Sequence, residues 1–389
     1  MNRGKITITA EGILNIAVFM WSFTYLLAYA TFFGNYMITK IFAFVFGQVI
    51  LKVVCVYCIV RKPRPASDFL KSAIILILAE VTNYFATTNI FIPLMYILAI
   101  GRDVDEKRII KTILTANILL FVFVFVSSLI GIVPKSHYYS YAGTSRFIFG
   151  FKTPNTAPIV LFQIASSMWL LYRKKIWLCL ATTALSFGIS YFLCNSRTAS
   201  LLSFILLMVE LFWWLLENQK SRMLKKMVWK VLFGIGILVS FVSLLSVAIA
   251  TKWIDASFID ELLSGRIHLM QDYFSIYSLT LWGQKVLTGS AAASLYGFST
   301  LDNSYIYFLL SYGVVLFVLY FYYFIRLIWK YKKENKAQRL VIIFFYAIYG
   351  FSETVAIRFV YNYSLIFLKD VVWGKKPLLS DNHRYFNSR

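Results

Sequence analysis

Four arginines and two carboxylates carry the chemistry this chain can do: Arg146, Arg197, Arg266 and Arg358, with Asp302 and Glu353. The stretch LCNSRTAS, at 193–200, shows the problem most plainly, because Arg197 stands among a few polar residues between two long apolar runs. A guanidinium group keeps its charge when partly buried and grips phosphate oxygens through a bidentate fork. An ionisable side chain close to an apolar span is a functional candidate by default. Arginines at helix ends also snorkel to lipid headgroups, and that is the bland reading of any one of them. Four on one face point to a shared anionic ligand.

The acids have bland readings too. Asp302 or Asn303 opens the run LDNSYIYFLLSYG and would serve as a helix N-cap. Glu353 could pair with Arg358 five residues on and do no more than steady a turn. His268 and Asp272 share a face at i,i+4, whereas His137 and His383 have no such partner, and three scattered histidines make no metal site. No cofactor is expected. Cys55 and Cys58 have redox-motif spacing, but inside an apolar run they read as small hydrophobic fillers. Neither a P-loop, a GxGxxG fingerprint nor a GxSxG elbow is present, so ATP-driven and serine-hydrolase chemistry find no support.

These residues need elements to hold them, and composition says which. Of 389 residues, 60% are hydrophobic and 14% charged, with a mean hydropathy of +0.70. Soluble domains rarely reach such apolar content. Runs of about 20 apolar residues, enough for one bilayer crossing, recur along the chain, and their continuity suits helices rather than barrel strands. The expectation is an all-α integral membrane protein. Clear spans fall near 12–30, 36–60, 112–132, 155–172, 176–193, 198–216, 231–250 and 303–325. The regions 72–101 and 340–368 are each one long helix or two short ones.

Charge decides between these. The net charge of +22 is spread over short loops, a topology signal rather than a nucleic-acid groove. With a cytoplasmic N-terminus, splitting 72–101 near Thr87 to Asn89 and 340–368 near Ser352 and Glu353 leaves 29 of the 39 Lys and Arg residues cytoplasmic. That gives about twelve spans with both termini inside. The division is 1–250, nine helices with short loops; 251–302, a large outer loop; 303–368, three more helices; and 369–389, a cytoplasmic tail. Within the outer loop, Phe258, Leu262, Met270 and Phe274, with Leu263 and Ile267, recur at helical spacing and suggest an amphipathic helix on the outer surface. Glu80 and Glu210 lie in or near the inner parts of spans and hint weakly at proton coupling.

The series SRFIFGFKTPNTAP (145–158), NSRTAS (195–200), SGR (264–266), LDNSYIYFLLSYG (301–313) and YGFSETVAIRFVYN (349–362) resembles the O-antigen polymerase and ligase superfamily, specifically its Wzy-type capsular and exopolysaccharide polymerases. That resemblance implies a metal-independent membrane glycosyltransferase of the GT-C type in the bacterial plasma membrane. Its donor would be an undecaprenyl-pyrophosphate-linked oligosaccharide, with membrane lipids around it, and a chain-length regulator and a flippase of the same pathway as partners. Ligases of the superfamily place a histidine where this chain has Asp302, which favours a polymerase.

In that chemistry the pyrophosphate already leaves well, so the enzyme must stabilise developing negative charge and deprotonate an acceptor hydroxyl. Arg197 and Arg266 are expected to hold the pyrophosphate, with Arg146 and Arg358 nearby. Asp302 is the preferred base and Glu353 the second. Lys152 and Asn155 in the FKTPN turn, with Asn303 and His268, complete the expected binding set. The rivals are a ligase acting on another acceptor and a polysaccharide flippase; the latter should spread its charges through a central cavity.

Overall fold

The computed structural model describes residues 9–86, 90–139, 144–218, 222–252, 260, 265–298 and 300–374. The described chain is almost wholly helical: α1 Ala10–Ala30, α2 Met37–Phe44, α3 Leu51–Arg61, α4 Ala66–Ala86, α5 Ile92–Ala99, α6 Glu106–Leu129, α7 Thr156–Tyr172 and α8 Ile176–Gly188. After these come α9 Arg197–Asn218, α10 Arg222–Ala250, α11 Arg266–Ile276, α12 Ser290–Tyr296, α13 Ser304–Lys333, α14 Ala337–Ser352 and α15 Lys369–Val372. A two-stranded hairpin, β1 Ser136–Tyr139 against β2 Thr144–Phe147, sets His137 opposite Arg146. Eight helical stretches are long and apolar enough to cross a membrane, α2 and α3 counting as one rod over Met37–Arg61.

Burial sorts them. Of its most apolar stretch, α13 has 61% buried inside the protein, but α4 and the helix Ile176–Leu193 have only 22%. Apolar side chains such as Tyr84, Trp177 and Phe192 are more than 70% exposed. Patches of that kind are untenable in water and ordinary against lipid. The centre is α13, α14 and the segment after α14, where Tyr312, Tyr331, Tyr346, Tyr349, Tyr363 and Phe359 are all fully buried.

The two ambiguous regions resolve differently. The first divides as expected: α4 is a full 21-residue helix, and α5 is an eight-residue piece with Pro93 in its first turn. The expected break at residues 87–89 falls outside the described residues. The second contains a single long helix. After Ser352 the chain returns through turns and a 3-10 stretch, Tyr363–Leu368. Sequence favours this, since ETVAIRFVYN is rich in β-branched and aromatic residues, which are weaker helix formers.

Such backbone can sit at depth only if its polar groups find partners inside the protein. They do: Ser304 Oγ donates to Glu353 O (2.6 Å) and accepts from Ala356 N (3.0 Å), Asn117 Nδ2 donates to Val360 O (3.2 Å), and Asn362 Nδ2 to Ala356 O (2.6 Å). α13 is itself broken. Gly313 has φ +82°, and a Cβ there would lie 2.4 Å from Gly283 N and from Leu281 O. The loop between α11 and α12 inserts at this break, with Val314 N donating to Thr280 O (2.9 Å) and Gln284 N to Ser311 O (3.2 Å).

The proposed surface helix is seen in part. α11 buries Ile267, Met270 and Tyr273. Phe258, Leu262 and Leu263 lie outside the described residues, as do His383 and the tail beyond residue 374. All four cysteines are free and buried, in keeping with a filler role.

Candidate functional site

Three chain segments, far apart in sequence, meet at Arg266. Gly265 (φ +75°) turns the chain into α11, and Asp260 Oδ1 accepts from Ile267 N (2.8 Å), capping the new helix from seven residues upstream. Arg266 is therefore the first residue of α11. Its Nη2 lies 3.3 Å from Glu353 Oε1 and 3.7 Å from Asp302 Oδ2, and its Nη1 donates to the carbonyl of Ser352. Asn155 Nδ2 donates to the same Glu353 oxygen at 2.8 Å.

Asp302 precedes the broken half of α13, and its neighbour does the capping. Asn303 Oδ1 accepts from Tyr305 N (2.9 Å) and Ile306 N (3.0 Å), while its Nδ2 donates to Phe351 O (3.1 Å) and Ser246 Oγ (3.3 Å). Asn303 is therefore a structural cap with no donor left for substrate. That frees Asp302, 31% exposed, to face Arg266.

Burial pushes the Glu353 carboxyl up to about 7, and the nearby Asp302 charge pushes the same way; Arg266 and Asn155 pull it back. Asp302 is also raised by burial, against Arg266 and Arg358. Two acids sharing one arginine thus titrate as a pair. One proton between them leaves an acceptor and a donor side by side, an arrangement suited to taking a proton from a hydroxyl near neutral pH. The Glu353–Arg358 pair that would have made Glu353 a mere turn-steadying group is not seen; Glu353 pairs with Arg266.

Arg358 lies within electrostatic reach of Asp302 and of Tyr25, Tyr307, Tyr312 and Tyr361. Its Nε is buried and has no hydrogen-bond partner. It borders a chamber of about 330 Å³ with Trp21, Tyr25, Tyr29, Tyr307, Gln48 and Thr288. One wall is the π turn Val45–Ile50 between α2 and α3, whose Gly47 would place a Cβ 3.0 Å from the Trp21 ring. π turns of this kind recur at functional sites. Lys152, whose Nζ donates to Ala28 O (3.2 Å), packs near Gly34 beside Lys40, and burial with that second cation pushes its pKa down.

The remaining expected residues are placed elsewhere. Arg146 Nε donates to Cys194 O (2.8 Å) and its Nη2 to Asn195 O, so it pins the NSR turn, where Asn195 has φ +47°. Arg197, the first residue of α9, is exposed and makes no ion pair or hydrogen bond with Asp302 or Glu353. His268 and Asp272 stand 3.8 Å apart as their spacing implied, with His268 74% exposed. Glu80 is tied to Lys52 (2.5 Å) and Tyr96 (2.7 Å).

Sequence reading missed the chamber. Its only trace is Trp21, Tyr25 and Tyr29 at i, i+4 and i+8 on α1, a stripe that any core helix shows. Among the described residues, no three His, Cys, Asp or Glu side chains gather in a metal-holding group. No family model, no curated protein and no solved structure matches this chain.

Proposed function

We propose that this protein is a membrane glycosyltransferase of the Wzy polymerase kind, joining polyprenyl-diphosphate-linked oligosaccharide units on the outer side of a bacterial plasma membrane. The observation that carries the reading is Arg266 held between Asp302 and Glu353, near an aromatic chamber bordered by Arg358, whose buried Nε has no hydrogen-bond partner. In this reading the eight long helices are joined by α7, α14 and two shorter passages, through α5 and through the segment after Glu353, to make twelve passes with both termini cytoplasmic. The site then lies at the outer end.

Arg266 and Arg358 receive the charge that develops on the departing diphosphate. A well-placed donor of this kind is worth about 2.7–4 kcal/mol of barrier. Asp302, the more exposed acid, takes the acceptor's proton; Glu353 shares it. The tyrosines and Trp21 supply flat faces for sugar rings. Arg146, Asn303 and Asn155 act at one remove, by holding the NSR turn, the α13 start and the Glu353 carboxyl.

The reading is tested with purified protein and lipid-linked repeat units. A ladder of products supports a polymerase, and transfer to a foreign acceptor alone supports a ligase. Absence of any covalent product in a competent assay supports transport and removes the proposal. Arginine clusters at the two ends of the bundle, rather than charges lining a central cavity, weigh against a flippase.

A further inference from the structure

A line of buried polar groups runs from Glu353 into the middle of the bundle and ends at a second carboxyl. Glu210, on α9, is fully buried. Thr183 Oγ1 on α8 donates to its Oε1 at 2.8 Å, and its Oε2 has no partner. No cation reaches it among the described residues; the groups within its electrostatic reach are Cys179 of α8 and Tyr363. Tyr363 lies beside Ser166 and Ser167 of α7, and its ring meets that of Tyr346 at 5.7 Å. Ser166 Oγ and Tyr346 Oη are 3.0 Å apart, and Gln163 Nε2 donates to Ser167 Oγ at 3.1 Å. Tyr349, one turn further along α14, lies within electrostatic reach of Glu353 and Arg266.

Simple helix-to-helix adhesion does not explain this line. Adhesive polar contacts pair off, as Ser186 and Ser203 do between α8 and α9 at 3.0 Å. Here four fully buried groups keep an unpartnered atom: Glu210 Oε2, Gln163 Oε1, Tyr349 Oη and Tyr363 Oη. Each such atom costs about 1–3 kcal/mol unless something bonds it. Water bonds such groups when several lie close together. We propose that Glu210 and Glu353 are the two ends of a hydrated seam through which they exchange a proton.

The step balances without a co-reactant. A proton leaves one carboxyl for the neighbouring hydroxyl or water as that group's own proton moves on, and the last transfer loads the other carboxylate. One unit of charge changes place and nothing is oxidised or reduced. The groups that bias it are Arg266, Asp302 and Asn155 at the Glu353 end, and Thr183, Cys179 and Tyr363 at the Glu210 end. The inference uses Glu353 as a titrating group and does not depend on the glycosyl-transfer reading.

Infrared spectra of the full-length protein in lipid bilayers test it without any activity assay. The Glu210→Gln difference isolates the Glu210 carboxyl stretch, and transfer to heavy water follows its exchange. Exchange within the mixing time in the wild type is expected, slowed about tenfold or more in Tyr346→Phe with Tyr349→Phe, which removes two hydroxyl links. The Glu210 signal should also shift in Glu353→Gln. A Glu210 band that stays unexchanged for hours, or that ignores both the tyrosine variant and Glu353→Gln, overturns the seam.

Discussion

The two ends of the bundle each hold an arginine facing two carboxylates, yet they are built for different purposes. Opposite the candidate site, Arg339 of α14 meets Glu106 of α6 and Asp370 of α15 (3.5 Å), and also bonds Tyr331 Oη at 3.0 Å. Its guanidinium stacks over Phe367 at 4.8 Å. Around it, Tyr331 donates to Asp370 Oδ2 (2.9 Å), Lys330 to Asp370 O (2.5 Å), and Lys336 sits 3.5 Å from the same carboxylate. Lys369 donates to Val104 O at 2.7 Å. Arg339, Lys336 and both acids are ion-paired there, although Glu106 Oε2 lacks a hydrogen bond, and the cluster ties the returning chain to α6, α13 and α14. At the Arg266 end the acids crowd one cation, Glu353 is pushed up to about 7, and Arg358 Nε has no partner. Each end thus keeps an unbonded buried atom, and they differ in layout: the Arg339 cluster joins several elements, whereas the Arg266 acids compete for one cation near an open chamber.

The sharpest way to break this contrast is to remove each arginine in turn. Arg266→Ala should lower product formation by about 10²–10³-fold, the range for losing one charge-stabilising donor, with the protein still inserted and close to its normal thermal midpoint. Arg339→Ala should do the reverse. Leaving Glu106 and Asp370 without their partner costs about 3–5 kcal/mol for a buried pair, read as lost abundance and a lower unfolding temperature. If Arg266→Ala unfolds the protein while Arg339→Ala silences an intact one, the assignment of the two ends is reversed.

Arg358 gives the next test. Arg358→Lys keeps a charge but loses the planar fork. Inorganic pyrophosphate should protect wild-type Arg358 from arginine-directed modification and should raise the thermal midpoint, an effect that the lysine variant largely loses. Equal stabilisation of both proteins would take Arg358 out of the anion site.

The pH dependence sharpens the role of the acid pair. An acid raised by the fold binds its proton more tightly folded than unfolded. Its stabilising contribution is therefore complete below the ordinary glutamate value of 4.5 and is lost as pH rises towards about 7. Stability should fall across that window and level above it. Glu353→Gln should flatten the slope, and Asp302→Asn should move it to lower pH by removing the neighbouring charge. Product formation should rise through the same window as the pair loses its proton. A Glu353→Gln protein with an unchanged stability profile would assign the titration elsewhere.

Much of this was legible in sequence because the signals were local. Continuous apolar runs gave the long helices, and the i,i+4 spacing of His268 and Asp272 gave their shared face. What stayed hidden depended on contacts between distant segments. Nothing local tells that Glu353 pairs with Arg266 rather than with Arg358, five residues away. Asp302 and Asn303 are equivalent as caps on paper, and only the geometry of α13 gives the cap to Asn303. The break at Ser352 was placed by the charge count, but the irregular course of the return after it was hidden for the same reason. Its backbone is held by Ser304, Asn117 and Asn362, from three parts of the chain.

Arg197 is the smallest effect and the finest discriminator. Sequence placed it beside Arg266 in the chemistry, but its side chain is exposed at the start of α9. A cation at a helix N-terminus opposes the helix dipole by about 0.3–1 kcal/mol, so Arg197→Ala should leave stability within about ±0.5 kcal/mol, as at an ordinary surface position. Arg146→Ala, by contrast, unpairs the carbonyls of Cys194 and Asn195 and should loosen the turn that carries Arg197. If Arg197 meets only bulk headgroups, its alanine variant keeps product formation within about tenfold of wild type, far from the loss in Arg266→Ala. A loss as large as that of Arg266 would mean that the NSR turn closes over the site when a lipid-linked donor is bound, and crosslinking residue 197 to position 266 with and without donor would then measure the closure.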